Sequence, residues 1–533
     1  MTPTDPHDLV PSPRTRSIVG DDPHAYVAED RRRALAGGPA VDGRVTGATL
    51  FADVSGFTAL TEALAGELGP QRGAEELTVV LERVFHALIQ CLHDRGGSVL
   101  YFSGDAITAW LEGDDGWRAT SCAMAMQEAM ARVGTVTSPG GRAVTLGVKV
   151  AVAVGTARRF VAGDPAIQLI DVLAGALMDE VAAAEGAASP GEVVVTGAVL
   201  AALGDRARHL ELRDVPAGQV ARVGGLTELA AEQPLVHLDE QLPEEVVREW
   251  LLPAVYRRMQ AGRGEFVADL RPAVPMFVQF GGIDFDVDED APEVLDTFLV
   301  RAQRVIDGYG GNLLQLTVGD KGAYLYGVFG SPTAHEDDAA RACSAALDLL
   351  GLEGGGITGI RVGLAAGRLR SGTYGHRTRR TFCCLGDPVN LAARLMAKAP
   401  TGGVLVSDRV RAAAGDRFDF GEVQLLALKG KAAAAAASPL LGSHGLDLAA
   451  AHATALVGRE EELATLRAGL DAVAGGQGRL VEVVGDIGTG KSRLLAEAVA
   501  RARRDGLTVH VGVASSYGAV AAYEPWWDIW RAL

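Results

Sequence analysis

Apolar positions along the chain change their spacing in a fixed order. ATLFADV (48–54) is an apolar run that predicts a strand. GAEELTVVLERVFHALIQCLHDRGG (73–97) then sets Leu77, Leu81, Val84, Leu88 and Leu92 three to four residues apart, as one apolar stripe on a helix. Gly96-Gly97 ends that helix, and SVLYFSGDAITAWL (98–111) predicts a hairpin turning at Gly104-Asp105. A second helix (WRATSCAMAMQEAMARV), a strand (VTLGVKVAVAVG), a helix around residues 176–187 and the strand GEVVVTGAVL close the unit.

The same order then returns. VPMFVQFGG (274–282) is the strand and PEVLDTFLVRAQRVIDGYGG (292–311) the helix with its terminal Gly-Gly. NLLQLTVGDKGAYLYGVFG (312–330) is the hairpin, and DPVNLAARLMAKAP and GGVLVSD end the unit. Glycine pairs in register, Gly96-Gly97 and Gly310-Gly311, mark an internal duplication too long for a solenoid repeat. Each copy reads as α+β, with helices on one side of a mostly antiparallel sheet.

The pattern divides the chain. Residues 1–45 are expected to be a mobile leader with one short helix in YVAEDRRRALAGG. The first unit spans 46–200, a connector 201–270 with a helical stretch in LPEEVVREWLLPAVYRRMQAGRGEF, the second unit 271–415, and a low-complexity linker including KGKAAAAAASPLLGSHG 416–452. A third module occupies 453–533. There GDIGTGKS (485–492) matches the phosphate-loop pattern, between an apolar segment expected as a strand (RLVEVV) and a helix (RLLAEAVARA). Gly485, Gly488 and Gly490 would turn backbone N–H groups toward phosphates, Lys491 would reach the outer phosphates, and Ser492 would ligate the Mg²⁺ of Mg-ATP. No strand ending in an acidic pair follows, so this P-loop module is expected to be incomplete, with nucleotide binding but no hydrolysis.

Composition narrows the function classes. A net charge of −17 argues against a nucleic-acid binder, and 48% hydrophobic residues permit large cores. The odd count of five cysteines, without CxxC spacing, excludes a disulfide framework or structural zinc and fits a reducing compartment. Without a signal-like N-terminus or a long apolar run, the expected location is cytoplasmic, with no membrane span.

Asp53 ends a strand of the first unit, and Asp105 sits in a hairpin turn. Were these strands neighbours, two carboxylates would meet at one sheet end, an arrangement suited to two hard cations on a nucleoside triphosphate. Ser55-Gly56-Phe57 would add backbone N–H groups at a following helix start. The second copy has Gln279 and Gly319 in place of the carboxylates. It carries instead Asn390 and Arg394, one helical turn apart, where the first unit is read to hold Met178 and Ala182. HRTRR (376–380) reads as an exposed hairpin arm and DFDVDEDAPE (284–293) as a solvated loop.

FADVSGFT, GGSVLYFSGDA and GDPVNLAARL resemble the class III nucleotidyl cyclases, and the tandem order before a P-loop module resembles the soluble adenylyl cyclase type. LVGREEEL resembles the opening of AAA- and STAND-type ATPase modules. The resemblance implies two ferredoxin-like cyclase domains paired as an intramolecular pseudo-heterodimer with one complete site at their interface. It implies that Asp53, Asp105 and the Val54 carbonyl hold two Mg²⁺ or Mn²⁺ ions. Arg394 would stabilise the α-phosphate, Asn390 would orient the ribose, and Lys149 would contact the triphosphate. At the base positions stand Gln315 and Cys383, which do not decide between ATP and GTP; the architecture favours ATP. The alternative is a catalytically weak nucleotide-binding sensor that regulates the C-terminal ATPase, with regulatory protein partners engaged through that module.

Overall fold

The computed structural model describes residues 22–141, 143–216, 218–233, 242–260, 269–319, 322–427, 434–443, 458–485, 489–510, 526 and 529–530. The first unit begins with α1 (Glu29–Leu35) and β1 (Gly43–Ser55), then α2 (Phe57–Leu68) and α3 (Pro70–His93). The hairpin β2 (Ser98–Ser103) and β3 (Ala106–Glu112) follows, then α4 (Trp117–Val133) and the long β4 (Gly147–Ala162). β5 (Ile170–Ala174), α5 (Ala176–Gly186), β6 (Val193–Thr196), β7 (Glu211–Val215) and β8 (Gly218–Arg222) complete it. The strands stand in the order β7-β8-β6-β4-β1-β3-β2, with β5 paired to the end of β4. The β4-β1-β3-β2 core with its crossover helices is the ferredoxin-like arrangement.

The second unit repeats it. β9 (Asp269–Gly281) and α6 (Ala291–Gly308) lead to the hairpin β10 (Asn312–Thr317) and β11 (Ala323–Phe329). α7 (Asp338–Leu350), β12 (Thr358–Leu364), β13 (Gly367–His376), β14 (Arg379–Leu385), α8 (Asp387–Lys398) and β15 (Val404–Ser407) follow. Most pairings in both units are antiparallel; β4–β6 and β12–β15 are parallel.

Local sequence explains the repeat. Leu77, Leu81, Val84, Leu88 and Leu92 all face the core, so the apolar stripe fixes the orientation of α3. Gly96 and Gly310 both adopt positive φ (72° and 76°), the left-handed turn that stops each helix. The glycine after each is required for space: a Cβ would lie 2.9 Å from Leu92 at Gly97 and 2.7 Å from the Phe329 ring at Gly311.

The units exchange β-arms. The β13–β14 arm of the second unit buries Leu369, Tyr374, Phe382 and Cys383 in the core of the first. Tyr374 packs on Phe85 and Phe102, with ring centroids 5.0 and 5.5 Å away. Reciprocally, Phe160, Ala162, Val172 and Ala174 of the β4–β5 arm enter the core of the second unit. Buried Gln303 of α6 seals that arm, accepting from the Asp164 amide at 2.7 Å and donating to the Gln168 carbonyl at 2.7 Å.

Several expectations are corrected. The leader is packed from Asp22 onward: Ala25, Val27, Ala28, Glu29 and Arg31 are buried, because Arg31 has carboxylate partners in the first unit. The first sheet runs on through β7 and β8 to Arg222, into the expected connector, where helices stand at Glu244–Arg248 and Pro253–Gln260. The expected linker contributes strands at Phe418–Phe420, Gln424–Leu426 and Ala435–Ser443; the last pairs with β15, and edge pairing outweighs the poor strand propensity of its alanines. HRTRR is no exposed arm. His376 and Arg379 are buried, and the Arg379 guanidinium donates to the carbonyls of Val99 at 2.8 Å and Tyr26 at 3.0 Å. RLVEVV forms no strand; Leu480 and Val484 are exposed, and a strand without a paired neighbour is not stable.

Gln303→Ala should lower the unfolding free energy by about 2–3 kcal/mol, since an amide and a carbonyl of the arm lose their partners. Urea denaturation measures this; a loss under about 0.5 kcal/mol would contradict the sealing role.

Candidate active site at the unit interface

β1 lies between β3 and β4, and its register sets Asp53 opposite Ala106 and Lys149. The Val54 amide donates to the Asp105 carbonyl at 3.0 Å, which brings the hairpin turn to the end of β1. Lys149 Nζ lies 3.2 Å from Asp53 Oδ2 and also contacts the Glu185 carboxylate on α5. Burial pushes the Asp53 carboxyl above its ordinary range, against the pull of Lys149. Burial first and the neighbouring Asp53 second push Asp105 up to about 6; Asp105 is exposed as a residue, so solvent moderates that rise. Burial would lower Lys149, but Glu185 and Asp53 outweigh it and raise its pKa.

Lys149 is the cation beside these two carboxylates, and their hard oxygens suit Mg²⁺ or Mn²⁺. Among the described residues no group of three or more His, Cys, Asp or Glu could hold a metal ion. Mg²⁺ is commonly bound through one or two carboxylates, with water and substrate phosphates completing its shell. Beside the carboxylates, Gly56 at φ 99° turns β1 into α2. A Cβ there would meet the Thr145 carbonyl at 3.1 Å, so the turn takes glycine for two reasons. The Ser55 hydroxyl donates to the Gly147 carbonyl at 3.3 Å, and Phe57 is buried in the core.

The second unit grips this hairpin. The Tyr374 hydroxyl donates to the Gly104 carbonyl, and a Cβ on Gly104 would lie 3.9 Å from Leu385. Leu385 ends β14, and Gly386 follows it into α8. α8 turns Ala392, Leu395 and Met396 inward and leaves Asn390 exposed and Arg394 half-buried. Among the described residues no hydrogen bond or ion pair joins Asn390 or Arg394 to Asp53 or Asp105. Gln315 reaches across the interface: its Nε2 donates to Ser103 Oγ at 2.8 Å and Thr317 Oγ1 at 2.6 Å. Cys383 is buried, its thiol pushed up to about 12 by burial, and it stands opposite Gly372. Two residues here escaped the sequence reading. Ser103 directly precedes the Gly104-Asp105 turn, which is its signal. Arg370 had none: its buried guanidinium donates Nε to Thr78 Oγ1 at 3.0 Å, while Nη1 is buried without a hydrogen-bond partner.

The opposite edge differs. Gln279 stands opposite Tyr324 and Arg361, and the β10–β11 turn is longer than its counterpart. Gly175 and Gly386 open α5 and α8, and Val193 and Val404 open the strands that follow. That register pairs Asn390 with Asp179 and Arg394 with Ala183, correcting Met178 and Ala182 by one residue. The 284–293 loop is largely exposed, as expected, and it also braces the fold. Asp286 Oδ2 accepts from the Ala176 amide at 2.7 Å and caps α5 from the other unit. Nearby, Arg159 binds Asp171 at 2.7 Å and Asp30 at 2.5 Å, and Arg31 binds Asp171 at 3.0 Å and Asp42 at 2.7 Å. Burial would raise the Asp171 carboxyl; Arg159 and Arg31 override it and hold it at about 2. This network borders a cavity of about 100 Å³ lined by Tyr26, Tyr101, Asp171, Trp250 and Gln315.

In the third module, α9 (Glu460–Ala474) and α10 (Lys491–Arg504) flank a cavity of about 250 Å³. Gly490 at φ 86° opens α10, and Lys491 Nζ donates to the Gly485 carbonyl at 2.6 Å. Gly488 and the side chain of Ser492 lie outside the described residues. All five cysteines are free thiols, and no described helix is long and apolar enough to cross a membrane.

Comparison with known proteins bears on the second unit and the C-terminal module. Residues 291–437 match the family model of the adenylate and guanylate cyclase catalytic domain, and residues 455–533 that of an AAA ATPase domain. The second unit thus matches an adenylate and guanylate cyclase catalytic domain, and the C-terminal module an AAA ATPase domain. It is 25% identical over 400 residues to adenylate cyclase type 10 of Homo sapiens, covering 68% of this chain and 24% of the relative. It is 32% identical over 228 residues to an uncharacterised protein of Rhizobium meliloti (strain 1021), covering 40% and 22%. The chain spans about a quarter of the length of the curated relatives it matches. Among solved structures it is similar to a class III adenylyl cyclase-like ATP-binding protein from Pseudomonas aeruginosa (13% identity, 69% and 85% coverage, TM-score 0.48). It is also similar to the adenylyl cyclase CyaB from P. aeruginosa (21% identity, 33% and 97% coverage, TM-score 0.30).

The Asp171 network gives a pH-dependent outcome. A carboxyl held at about 2 stabilises the fold above its unfolded value near 3.8, and that contribution is lost as pH falls through about 2. Asp171→Asn should cost about 2 kcal/mol at pH 7, with the gap to wild type closing between pH 4 and 2. Chemical denaturation across pH measures it, and a gap independent of pH would contradict the ion-pair account.

Proposed function

We propose that the chain is a nucleotidyl cyclase, converting ATP or GTP to the 3′,5′-cyclic nucleotide and pyrophosphate at one site shared by its units. The supporting observation is the meeting of Asp53, Asp105 and Lys149 at a strand edge whose hairpin turn is gripped by the arm leading into Asn390 and Arg394. Two divalent cations held by Asp53, Asp105 and the Val54 carbonyl would lower the pKa of the ribose 3′-hydroxyl and neutralise the departing pyrophosphate. In the reaction the 3′-oxygen bonds to the α-phosphorus, the bond from that phosphorus to the pyrophosphate oxygen breaks, and the hydroxyl proton leaves to water.

The chain's own groups do the positioning. Lys149 and the N–H groups of Ser55, Gly56 and Phe57 bind phosphate oxygens. Arg394 offsets the charge that grows on the α-phosphate. Asn390 holds the ribose for in-line attack. Gln315 and Cys383 face the base, where an amide that both donates and accepts and a neutral thiol discriminate weakly. ATP is the favoured substrate, in keeping with the adenylate cyclase names of the relatives. The C-terminal module binds Mg-ATP through Lys491 and offers the surface for regulatory partners.

Purified protein with Mn²⁺ and ATP or GTP should form cyclic nucleotide, and Asp53→Asn or Arg394→Ala should lower kcat at least about 100-fold. Wild-type turnover no higher than in these variants would refute the assignment. Gln315→Lys with Cys383→Asp should raise the ATP-to-GTP ratio of kcat/KM about tenfold. An unchanged ratio would remove these residues from base recognition.

A further inference from the structure

We infer that Glu185 is a positioning residue for the cyclase site: it holds Lys149 at the metal edge and shares its ammonium with Asp53, so that the ammonium is not committed to Asp53 alone. This rests on the reading of Asp53 and Asp105 as cation ligands. Lys149 stands between two carboxylates, in ion-pair contact with Glu185 and 3.2 Å from Asp53 Oδ2. An ammonium shared between two acids binds each more weakly than one committed to a single partner. With Glu185 present, Lys149 can turn from Asp53 toward arriving phosphates while retaining a counter-charge. Without it, Lys149 would pair wholly with Asp53 and compete with the cation there.

Three further observations support this. Glu185 is the penultimate residue of α5, where the negative end of the helix dipole disfavours a carboxylate. Its contact with Lys149 offsets that local cost. The duplication supplies an internal comparison: in the register fixed by Gly175/Gly386 and Val193/Val404, Asp53, Lys149 and Glu185 correspond to Gln279, Arg361 and Met396. The half that lost the metal carboxylate also lacks the second acid, yet kept a cation. α5 is fixed at its other end as well, where Asp286 of the second unit caps Ala176. Glu185 is therefore carried on a helix anchored at both ends.

The test measures cation binding without turnover. The full chain carrying Lys491→Ala, which silences the P-loop, is titrated with Mn²⁺ in the presence of 3′-deoxy-ATP, and free Mn²⁺ is read by electron paramagnetic resonance. Glu185→Gln should weaken Mn²⁺ binding about tenfold, whereas Glu185→Asp stays within about twofold of the parent. In a Lys149→Ala background, Glu185→Gln should have no further effect, which a merely structural role would not produce. Parent-like binding by Glu185→Gln, with binding lost in Asp53→Asn, would overturn the positioning role and leave the metal reading standing. Parent-like binding by Asp53→Asn would overturn the metal reading and the positioning role with it.

Discussion

The exchange of β-arms is the constraint on which everything else rests. Neither unit closes its core alone: Tyr374 and Phe382 fill the first, and Phe160 and Val172 fill the second. Merged cores cannot slide, because close-packed interiors shift between discrete arrangements and do not deform continuously. Each hairpin turn is therefore pinned against the other unit's arm. The Gly104-Asp105 turn lies beside the strand that feeds α8, and the two halves of a cleft approach without belonging to one domain.

That geometry lets a duplicated chain divide its chemistry. Two clefts follow from pseudo-symmetry, but their electrostatics diverge. At one edge Asp53 and Asp105 lie together with carboxyls driven upward by burial, and Lys149 is the cation beside them. At the other, Gln279 and Arg361 create no such demand, and the leader, Asp171 and two arginines form a satisfied ion network instead. A buried charge network is tolerated only when every member is paired, and this one is braced by four carboxylate contacts.

Much of this was legible in the sequence where the signal is local. The stripe from Leu77 to Leu92 fixed α3, and the Gly-Gly pairs marked helix ends because one glycine needs positive φ and the next needs space. Asp53 and Asp105 could be brought together because Asp53 ends a strand and Asp105 sits in a hairpin turn of the same unit. What depends on distant partners was not legible. Arg31 and Asp30 read as a polar leader, since Asp171 and Arg159 lie far along the chain. The alanine-rich segment 435–443 read as a linker because its strand comes from pairing with β15 rather than from propensity. RLVEVV read as a strand by composition, yet no neighbour pairs with it among the described residues. Glu185 sits in an alanine-rich helix with no motif around it, and only the fold brings it to Lys149.

The central claim is that one active site is assembled within a single chain from two unequal halves. Mixing the Asp53→Asn and Arg394→Ala proteins tests it most directly, because each retains the half that the other lacks. An intramolecular site predicts a mixture as inactive as either variant alone across protein concentrations. Recovery of about a quarter of wild-type turnover, as random pairing between chains would give, would contradict it.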